Sequence, residues 1–188
     1  MAYIETIHEI DAEGKLKALY QRFGNPDATV DNVLKLHSLN PETLESHAGL
    51  YLQAMHHPGP IERHEREIIG VTVSRANKCE YCLRHHATGL RRLVERERPK
   101  LADQLLGGDE SGLNDREAAM AAYSEKLALT PSEIDHHDVD MMRGAGLDDR
   151  EILDVCQIAA YFAYVNRIAL GLGAELEEET KIGQWPRG

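Results

Sequence analysis

The chain has 188 residues and a mass of 21.1 kDa, which is enough for one domain with its own hydrophobic core, with or without an N-terminal extension. It carries 21 Lys and Arg against 32 Asp and Glu, so its net charge of −11 disfavours nucleic acid and anionic lipid surfaces as partners. Apolar residues make up 42% of the chain, which excludes an intrinsically disordered protein. No apolar run approaches the ~20 residues of a membrane span. A secretory signal begins with basic residues, but residues 1–11 contain no Lys or Arg. We therefore expect a cytoplasmic protein.

Hydrophobic periodicity predicts an all-α chain, because apolar residues recur at intervals of three and four between Gly and Pro punctuation. The segment 60–76 is ambiguous, since 68–73 (Ile-Ile-Gly-Val-Thr-Val) is typical of a buried strand. Charged helix formers precede it, and we therefore predict a helix with the strand as the alternative. Asn77 should end this helix in the left-handed conformation. The predicted helices are 12–23, 30–39, 41–56, 60–76, 79–98 and 115–127, one opening at Thr130-Pro131-Ser132-Glu133, and 148–173.

The last helix is apolar on more than one side, which favours a central position or an interface between subunits. Its start, Arg150-Glu151-Ile152-Leu153, echoes Arg66-Glu67-Ile68-Ile69 at an offset of 84 residues. This echo suggests a duplicated helical unit, although the second copy lacks cysteines at the matching positions. The segment 100–115 is expected to be a polar connection.

Candidate chemistry is concentrated at Cys79 and Cys82, which form a CxxC pattern at the start of a predicted helix. On a helix the two sulfurs share one face, and the helix start stabilises a thiolate. His86 lies one turn beyond Cys82 and can accept a thiol proton, while His85 is nearly as well spaced. Glu67 lies among apolar residues, where a carboxylate needs a partner such as His86.

The cysteines and histidines of the chain also have interpretations that involve no catalysis. A zinc site built from Cys79, Cys82, His85 and His86 is geometrically awkward, because structural zinc draws its ligands from separated segments. Cys156, in the last helix, is interpreted as a buried small hydrophobic residue. The pairs 56–57 and 136–137 (His-His) are interpreted as helix ends or loops.

The segment 66–86 resembles the active-site region of the alkylhydroperoxidase D-like proteins, which belong to the carboxymuconolactone decarboxylase superfamily. The shared pattern is a Glu, eleven residues, a Cys, two residues, a Cys, three residues and a His, here Glu67, Cys79, Cys82 and His86. Tyr161, 166–167 (Asn-Arg) and 171–173 (Gly-Leu-Gly) add similarity to the peroxidase-related subgroup. The resemblance covers residues 40–175, so we divide the chain into an N-terminal helical extension (1–39), this domain (40–175) and a C-terminal tail (176–188).

The resemblance implies an all-helical homo-oligomer, a trimer, hexamer or dimer, with thiol peroxidase activity and no haem, flavin or metal. By the same resemblance Cys82 is the peroxidatic thiolate, Cys79 the resolving thiol, and Glu67 with His86 the proton relay. The substrate would be an alkyl or hydrogen peroxide, and a dithiol or a protein would reduce the Cys79–Cys82 disulfide. The founding members carry His directly before the second Cys, whereas this chain has Tyr81, which cannot act as a base near neutral pH.

Two alternatives stay open from the sequence. The protein could be a thiol–disulfide oxidoreductase whose oxidant is a protein disulfide, or a redox-sensing or zinc-binding oligomer without turnover. The CxxC makes lactone decarboxylation the less favoured branch of the superfamily.

Overall fold

A computed structural model describes residues 2–178, and within that range the chain forms α-helices, two short 3₁₀ turns and no strand. The helices pack into a bundle, as predicted for the all-α class. Their bounds are α1 Gly14–Phe23, α2 Asn32–Lys35, α3 Pro41–Met55, α4 Arg63–Ala76, α5 Glu80–Val94, α6 Leu101–Leu106, α7 Asp115–Leu129, α8 His136–Gly144 and α9 Asp149–Leu172.

The ambiguous segment is a helix, α4, and its burial explains why its sequence looked like a strand. Every residue from 65 to 74 is buried, because α4 packs against α3, α5, α6, α7 and α9 at once. A helix that other helices surround on all sides needs no polar face. A continuous run of β-branched residues is therefore as compatible with this buried helix as with a buried strand. Glu62 and Glu65 form the capping box that starts it.

Four local predictions were wrong. The second helix covers only Asn32–Lys35 and gives way to turns. The polar connection contains the short helix α6, whose Leu101 and Leu105 are buried. Thr130 opens a 3₁₀ turn, and α8 begins later with Asp135 as N-cap, because the Asp135 side chain accepts the hydrogen bond from the backbone N–H of His137.

The fourth correction concerns the turn between α4 and α5. Asn77 stays in the right-handed region, and Lys78 takes the left-handed conformation with φ of 57°. This turn places Cys79 at the N-cap of α5. The strained residue is therefore the one directly before the CxxC.

The last helix, α9, packs against α3, α4, α5, α7 and α8. By length and composition α9 could cross a membrane, but its buried stripe belongs to the core of the bundle. The segment that echoes 66–86 differs from it in structure, since 150–170 is one continuous helix where 66–86 is two helices joined by a turn.

Glycine lets α4 and α9 approach each other closely. A Cβ atom on Gly70 would lie 2.5 Å from the ring of Phe162, so only glycine leaves room for that ring. The Phe162 ring in turn meets the ring of His86 edge-on, with centroids 4.5 Å apart. The close approach of the two core helices therefore sets the position of a candidate site residue.

Candidate active site

The two cysteines of the CxxC lie next to each other as free thiols at the start of α5. Cys79 is 1% exposed and Cys82 is 3% exposed, so bulk solvent barely reaches either sulfur. The structure thus confirms that the predicted pair sits at a helix N-terminus. It also shows that the pair is enclosed by the bundle.

The thiols are coupled by a hydrogen bond in which the Cys82 thiol donates to the Cys79 sulfur. This bond, with the backbone N–H groups of Cys82 and Tyr81, lowers the pKa of Cys79 despite burial. The same shared proton, together with burial, raises the pKa of Cys82 well above its ordinary value. Of the two thiols, Cys79 is therefore the one that ionises first, and it lies one turn before the cysteine that the resemblance makes the attacking group.

Glu67 and His86 form the pair that the sequence predicted. His86 Nδ1 lies 2.7 Å from Glu67 Oε2, and both side chains are more than nine-tenths buried. Since a carboxylate only accepts, Nδ1 carries the hydrogen and Nε2 is left to exchange a proton. The burial of Glu67 inside α4 is thereby offset by a charge-assisted hydrogen bond.

Gly89 makes room for this carboxylate under α5. A Cβ atom at position 89 would lie 3.0 Å from Glu67 Oε1, closer than ordinary van der Waals contact. Glycine lowers the helix propensity of α5 at this point. The cost is compensated by the close seating of Glu67 against His86.

Asn166, in α9, is a site residue to which the sequence gave no role. Its side chain is fully buried. Its Oδ1 accepts a hydrogen bond from the side-chain amide of Asn77 at 3.0 Å, and its Nδ2 donates one to Ser74 Oγ at 3.2 Å. Asn166 also makes a hydrogen bond to Cys82, and this bond opposes the rise in the Cys82 pKa. A lone asparagine in an apolar helix was the available signal, because buried polar groups need partners.

A second carboxylate–imidazole pair lies beside the first. His85 Nε2 is 2.7 Å from Glu177 Oε2, and Glu177 Oε1 accepts from the Tyr81 hydroxyl at 2.8 Å and from the Asn32 backbone N–H at 2.6 Å. The Tyr81 ring stacks on His85 with centroids 4.5 Å apart. Burial and the nearby Glu177 raise the pKa of Tyr81 well above its ordinary value, so Tyr81 stays protonated. Glu177, which follows α9, thus contacts the CxxC helix directly.

A cavity of about 1580 Å³ opens beside the Glu67–His86 pair. Its wall includes Tyr51, His56 and Arg63 from α3, the following loop and α4, and His85 from α5. Burial and the charge of Arg63 lower the pKa of His56 to about 4, so His56 is neutral at physiological pH. Small molecules can reach the relay side of the site through this space.

The structure also bears on the predictions made for a zinc site, for Cys156, for the other histidines and for the C-terminal tail. His85 and His86 turn to different carboxylates, and among residues 2–178 no three His, Cys, Asp or Glu side chains form a metal-binding group. Cys156 is only partly buried, so its interpretation as a buried residue was wrong. His56 ends α3 and His136 begins α8, as expected. Most of the predicted tail, residues 179–188, lies outside the described part of the chain.

Fold and site together define an all-helical dithiol protein in which a CxxC at a helix start lies beside a buried carboxylate–imidazole pair. The sequence profile described as the Carboxymuconolactone decarboxylase family matches residues 41–102, which contain all four residues of the predicted pattern. A search of the curated proteins finds no match.

Solved structures extend the similarity to nearly the whole chain. An uncharacterized peroxidase-related protein from Silicibacter sp. TM1040 is 29% identical, with 87% of this chain and 83% of that chain covered at a TM-score of 0.76. An uncharacterized peroxidase-related protein from Ralstonia eutropha JMP134, described as an alkylhydroperoxidase AhpD core, shares the fold at a TM-score of 0.84 and 23% identity, over 99% and 98% of the chains. The debrominase Bmp8 shares the fold at a TM-score of 0.74 and 17% identity, with 95% of this chain and 94% of that chain covered.

The family match at 41–102 and the shared fold together support an alkylhydroperoxidase D-like protein of the carboxymuconolactone decarboxylase superfamily. The same similarities support an enzyme of that superfamily.

Proposed function

We propose that the protein is a cofactor-free thiol peroxidase that reduces alkyl or hydrogen peroxides with the Cys79–Cys82 pair. The observation that carries the proposal is the Glu67–His86 hydrogen bond of 2.7 Å, one helical turn beyond a pair of free, coupled thiols. A reduced dithiol supplies two electrons, and the buried imidazole supplies and removes protons.

The first step moves the negative charge to the attacking sulfur. The proton in the Cys82–Cys79 hydrogen bond shifts to Cys79, which leaves Cys82 as the thiolate. The hydrogen bond from Asn166 stabilises that thiolate. Cys82 is also the cysteine one turn from His86, so the reacting sulfur and the proton donor lie along one stripe of α5.

The second step breaks the O–O bond. The Cys82 thiolate attacks the peroxide oxygen and becomes a sulfenic acid. The departing alkoxide takes from His86 Nε2 the proton that the thiol pair released to it on ionisation, and leaves as an alcohol. Cys79 then displaces the sulfenic hydroxyl as water and forms the Cys79–Cys82 disulfide. A dithiol donor restores both thiols by exchange, so each turnover converts one peroxide and one dithiol into an alcohol, water and the disulfide form of the donor.

Burial distinguishes this proposal from the first alternative. A folded protein disulfide cannot approach sulfurs that are 1% and 3% exposed, whereas a hydroperoxide is small enough to enter. Reduction of the resulting disulfide needs a slender dithiol or a local opening of α5. The pair is therefore better suited to a small oxidant than to a protein oxidant.

The assembly and location belong to the same proposal. Leu153, Tyr164 and Leu170 on α9 are 51%, 39% and 47% exposed, and such apolar side chains favour burial against a second copy of the chain. We propose a homo-oligomer in the cytoplasm. Light scattering after size exclusion should give a mass that is a multiple of the monomer mass, and a monomer would contradict this part of the proposal.

The deciding experiment treats the fully reduced protein with one equivalent of cumene hydroperoxide. Thiol counts and peptide masses should show loss of two thiols and a Cys79–Cys82 disulfide within seconds to minutes. Cys82→Ser should abolish peroxide consumption, and Cys79→Ser should stop after one sulfenic acid. Cys156→Ser is the matched control and should behave like the unchanged protein. Survival of both thiols would overturn the proposal.

A parallel assay addresses the debrominase, of which a cysteine-to-alanine variant has been solved with 2,3,4-tribromopyrrole. The reduced protein is incubated with 2,3,4-tribromopyrrole, and release of bromide is measured. We expect peroxide to oxidise the pair and bromide release to be negligible. Bromide release that is faster than peroxide reduction would replace the proposed substrate class.

A further inference from the structure

The cavity beside the Glu67–His86 pair has a charge opposite to that of the protein. Its wall contains four cationic side chains, from Lys17, Arg22, Arg63 and Arg92, and two carboxylates, from Glu9 and Glu67. The whole chain carries a net charge of −11. A positive cavity in an acidic protein concentrates anions at the site.

Both carboxylates of the wall are already engaged. Glu9 pairs with Lys35 at 2.8 Å and accepts the Val30 backbone N–H at 2.8 Å. Glu67 is held by His86. Since Lys35 offsets Glu9, the wall keeps an excess of positive charge, with four cationic side chains against the single carboxylate of Glu67.

Arg63 is the cation best placed to meet a ligand. It begins α4, four residues before Glu67, and it influences the pKa of both Tyr51 and His56. Among the ion pairs formed within residues 2–178, none includes Arg63 or Lys17. His56, whose pKa Arg63 helps to lower, is uncharged near neutral pH and so neither neutralises the guanidinium nor competes with it for an anion.

The same wall has apolar surface. Tyr20, Tyr51 and Leu93 line the cavity together with the cations and the relay. Its volume of about 1580 Å³ far exceeds the needs of hydrogen peroxide and leaves room for an organic molecule. A ligand that suits both features has an anionic group and an apolar body.

We propose that this cavity binds an organic carboxylate, with the carboxylate paired to Arg63 and the apolar body against Tyr51 and Leu93, next to His86. The inference rests on the proposed function and names the chemical class of its substrate. Either the hydroperoxide or the dithiol reductant carries the carboxylate. In both cases the carboxylate is bound without chemical change, and the peroxide and thiols react as described above.

The test compares two matched pairs of substrates. One pair is cumene hydroperoxide and its para-carboxylate, and the other is dihydrolipoamide and dihydrolipoate. For one pair, kcat/KM should be about tenfold higher for the carboxylate at low ionic strength, and salt should reduce this ratio. A preference within the peroxide pair identifies the carboxylate with the oxidant, and a preference within the dithiol pair identifies it with the reductant.

Arg63→Met should bring the preferred ratio close to one. Arg143→Met is the matched control, because Arg143 lies in α8 outside the cavity and pairs with Asp140 and Asp149. This control should keep the full ratio. Equal kcat/KM within both pairs for the unchanged protein, or an unchanged ratio in Arg63→Met, would overturn the inference and leave the peroxidase proposal standing.

A binding measurement separates the two proposals. Calorimetry of para-isopropylbenzoate with the Cys82→Ser variant should show binding that weakens with added salt and is about tenfold weaker when Arg63→Met is added. This readout needs no turnover, so it holds even if neither peroxide oxidises the thiols. Absence of binding would overturn the inference whatever the kinetics show.

Discussion

His86 Nδ1 and Glu67 Oε2 are joined by a 2.7 Å hydrogen bond between α5 and α4, although the two residues are nineteen positions apart in the chain. The hydrogen bond fixes which imidazole nitrogen can exchange a proton. It also ties the helix that carries the thiols to the most deeply buried helix of the bundle.

Replacing the carboxylate tests this relay. Glu67→Gln keeps the size of the side chain but removes the charge that stabilises an imidazolium, so peroxide reduction should slow by about 10²-fold. Stopped-flow measurement of thiol loss gives the rate. Glu65→Gln, an exchange in the same helix, should leave the rate within about twofold, and an equal loss in both variants would point to general disruption of α4.

The order in which the thiols ionise gives a second prediction. Cys82→Ala removes the donor that lowers the Cys79 pKa, so the first ionisation should move to higher pH. Cys79→Ala removes the neighbour that raises the Cys82 pKa, so ionisation of Cys82 should move to lower pH. Ultraviolet absorbance of the thiolate against pH measures both. If both variants keep the titration curve of the unchanged protein, the thiols are not coupled.

Asn166 should act on the site as well as on stability. Asn166→Ala leaves Asn77 and Ser74 without their partner and removes the hydrogen bond to Cys82, at a cost of about 1–3 kcal/mol in the free energy of unfolding. Peroxide reduction should slow as well. Ser74→Ala disturbs the same network without touching Cys82, so it should lower stability and spare the rate. Equal rates in the two variants would restrict Asn166 to a structural role.

The lowered pKa of Glu177 predicts that the protein loses stability in acid. Burial opposes its ionisation, but the hydrogen bonds from His85, Asn32 and Tyr81 hold the folded pKa of Glu177 below the ordinary 4.5. Because folding lowers this pKa, the stabilisation is present above about pH 4.5 and is lost as the pH falls through the folded value.

The matched comparison for Glu177 is Glu177→Gln, studied by urea unfolding at several pH values. Above about pH 5 the variant should be less stable by about 1 kcal/mol, and the difference should shrink in acid. Glu80→Gln, an exposed exchange, should show little difference at any pH. A Glu177→Gln difference that is constant across the whole range would contradict the assigned pKa.

Two glycine-to-alanine exchanges in helix interiors should have opposite effects. In Gly70→Ala the new methyl group meets the Phe162 ring, which should cost about 1–3 kcal/mol and displace the ring that packs on His86. In Gly49→Ala nothing lies within 4 Å of the new atom, so the exchange should stabilise α3 by about 0.5–1 kcal/mol. Thermal unfolding of both variants provides the measurement, and equal shifts would contradict the packing described for Phe162.

Local sequence determined most of the helices and the position of the dithiol. The spacing of apolar residues and the caps at Asn114 and Asp148 are properties of short segments, so they could be read without the fold. The CxxC at a helix start and the spacing of His86 from Cys82 are likewise properties of a short segment. The errors at 30–39 and at Thr130 arose where several weak turn signals competed over few residues.

Tertiary structure alone decided what surrounds the thiols. Asn166 and Glu177 reach the CxxC region from 84 and 95 positions along the chain, and no local pattern specifies such contacts. The cavity and its unpaired Arg63 likewise depend on how distant helices pack. The sequence by itself determined the helices and the reactive pair, because those depend on neighbours along the chain. Packing between helices decided the pKa order of the thiols, the partner of each histidine and the charge of the cavity, because electrostatics and burial depend on neighbours in space.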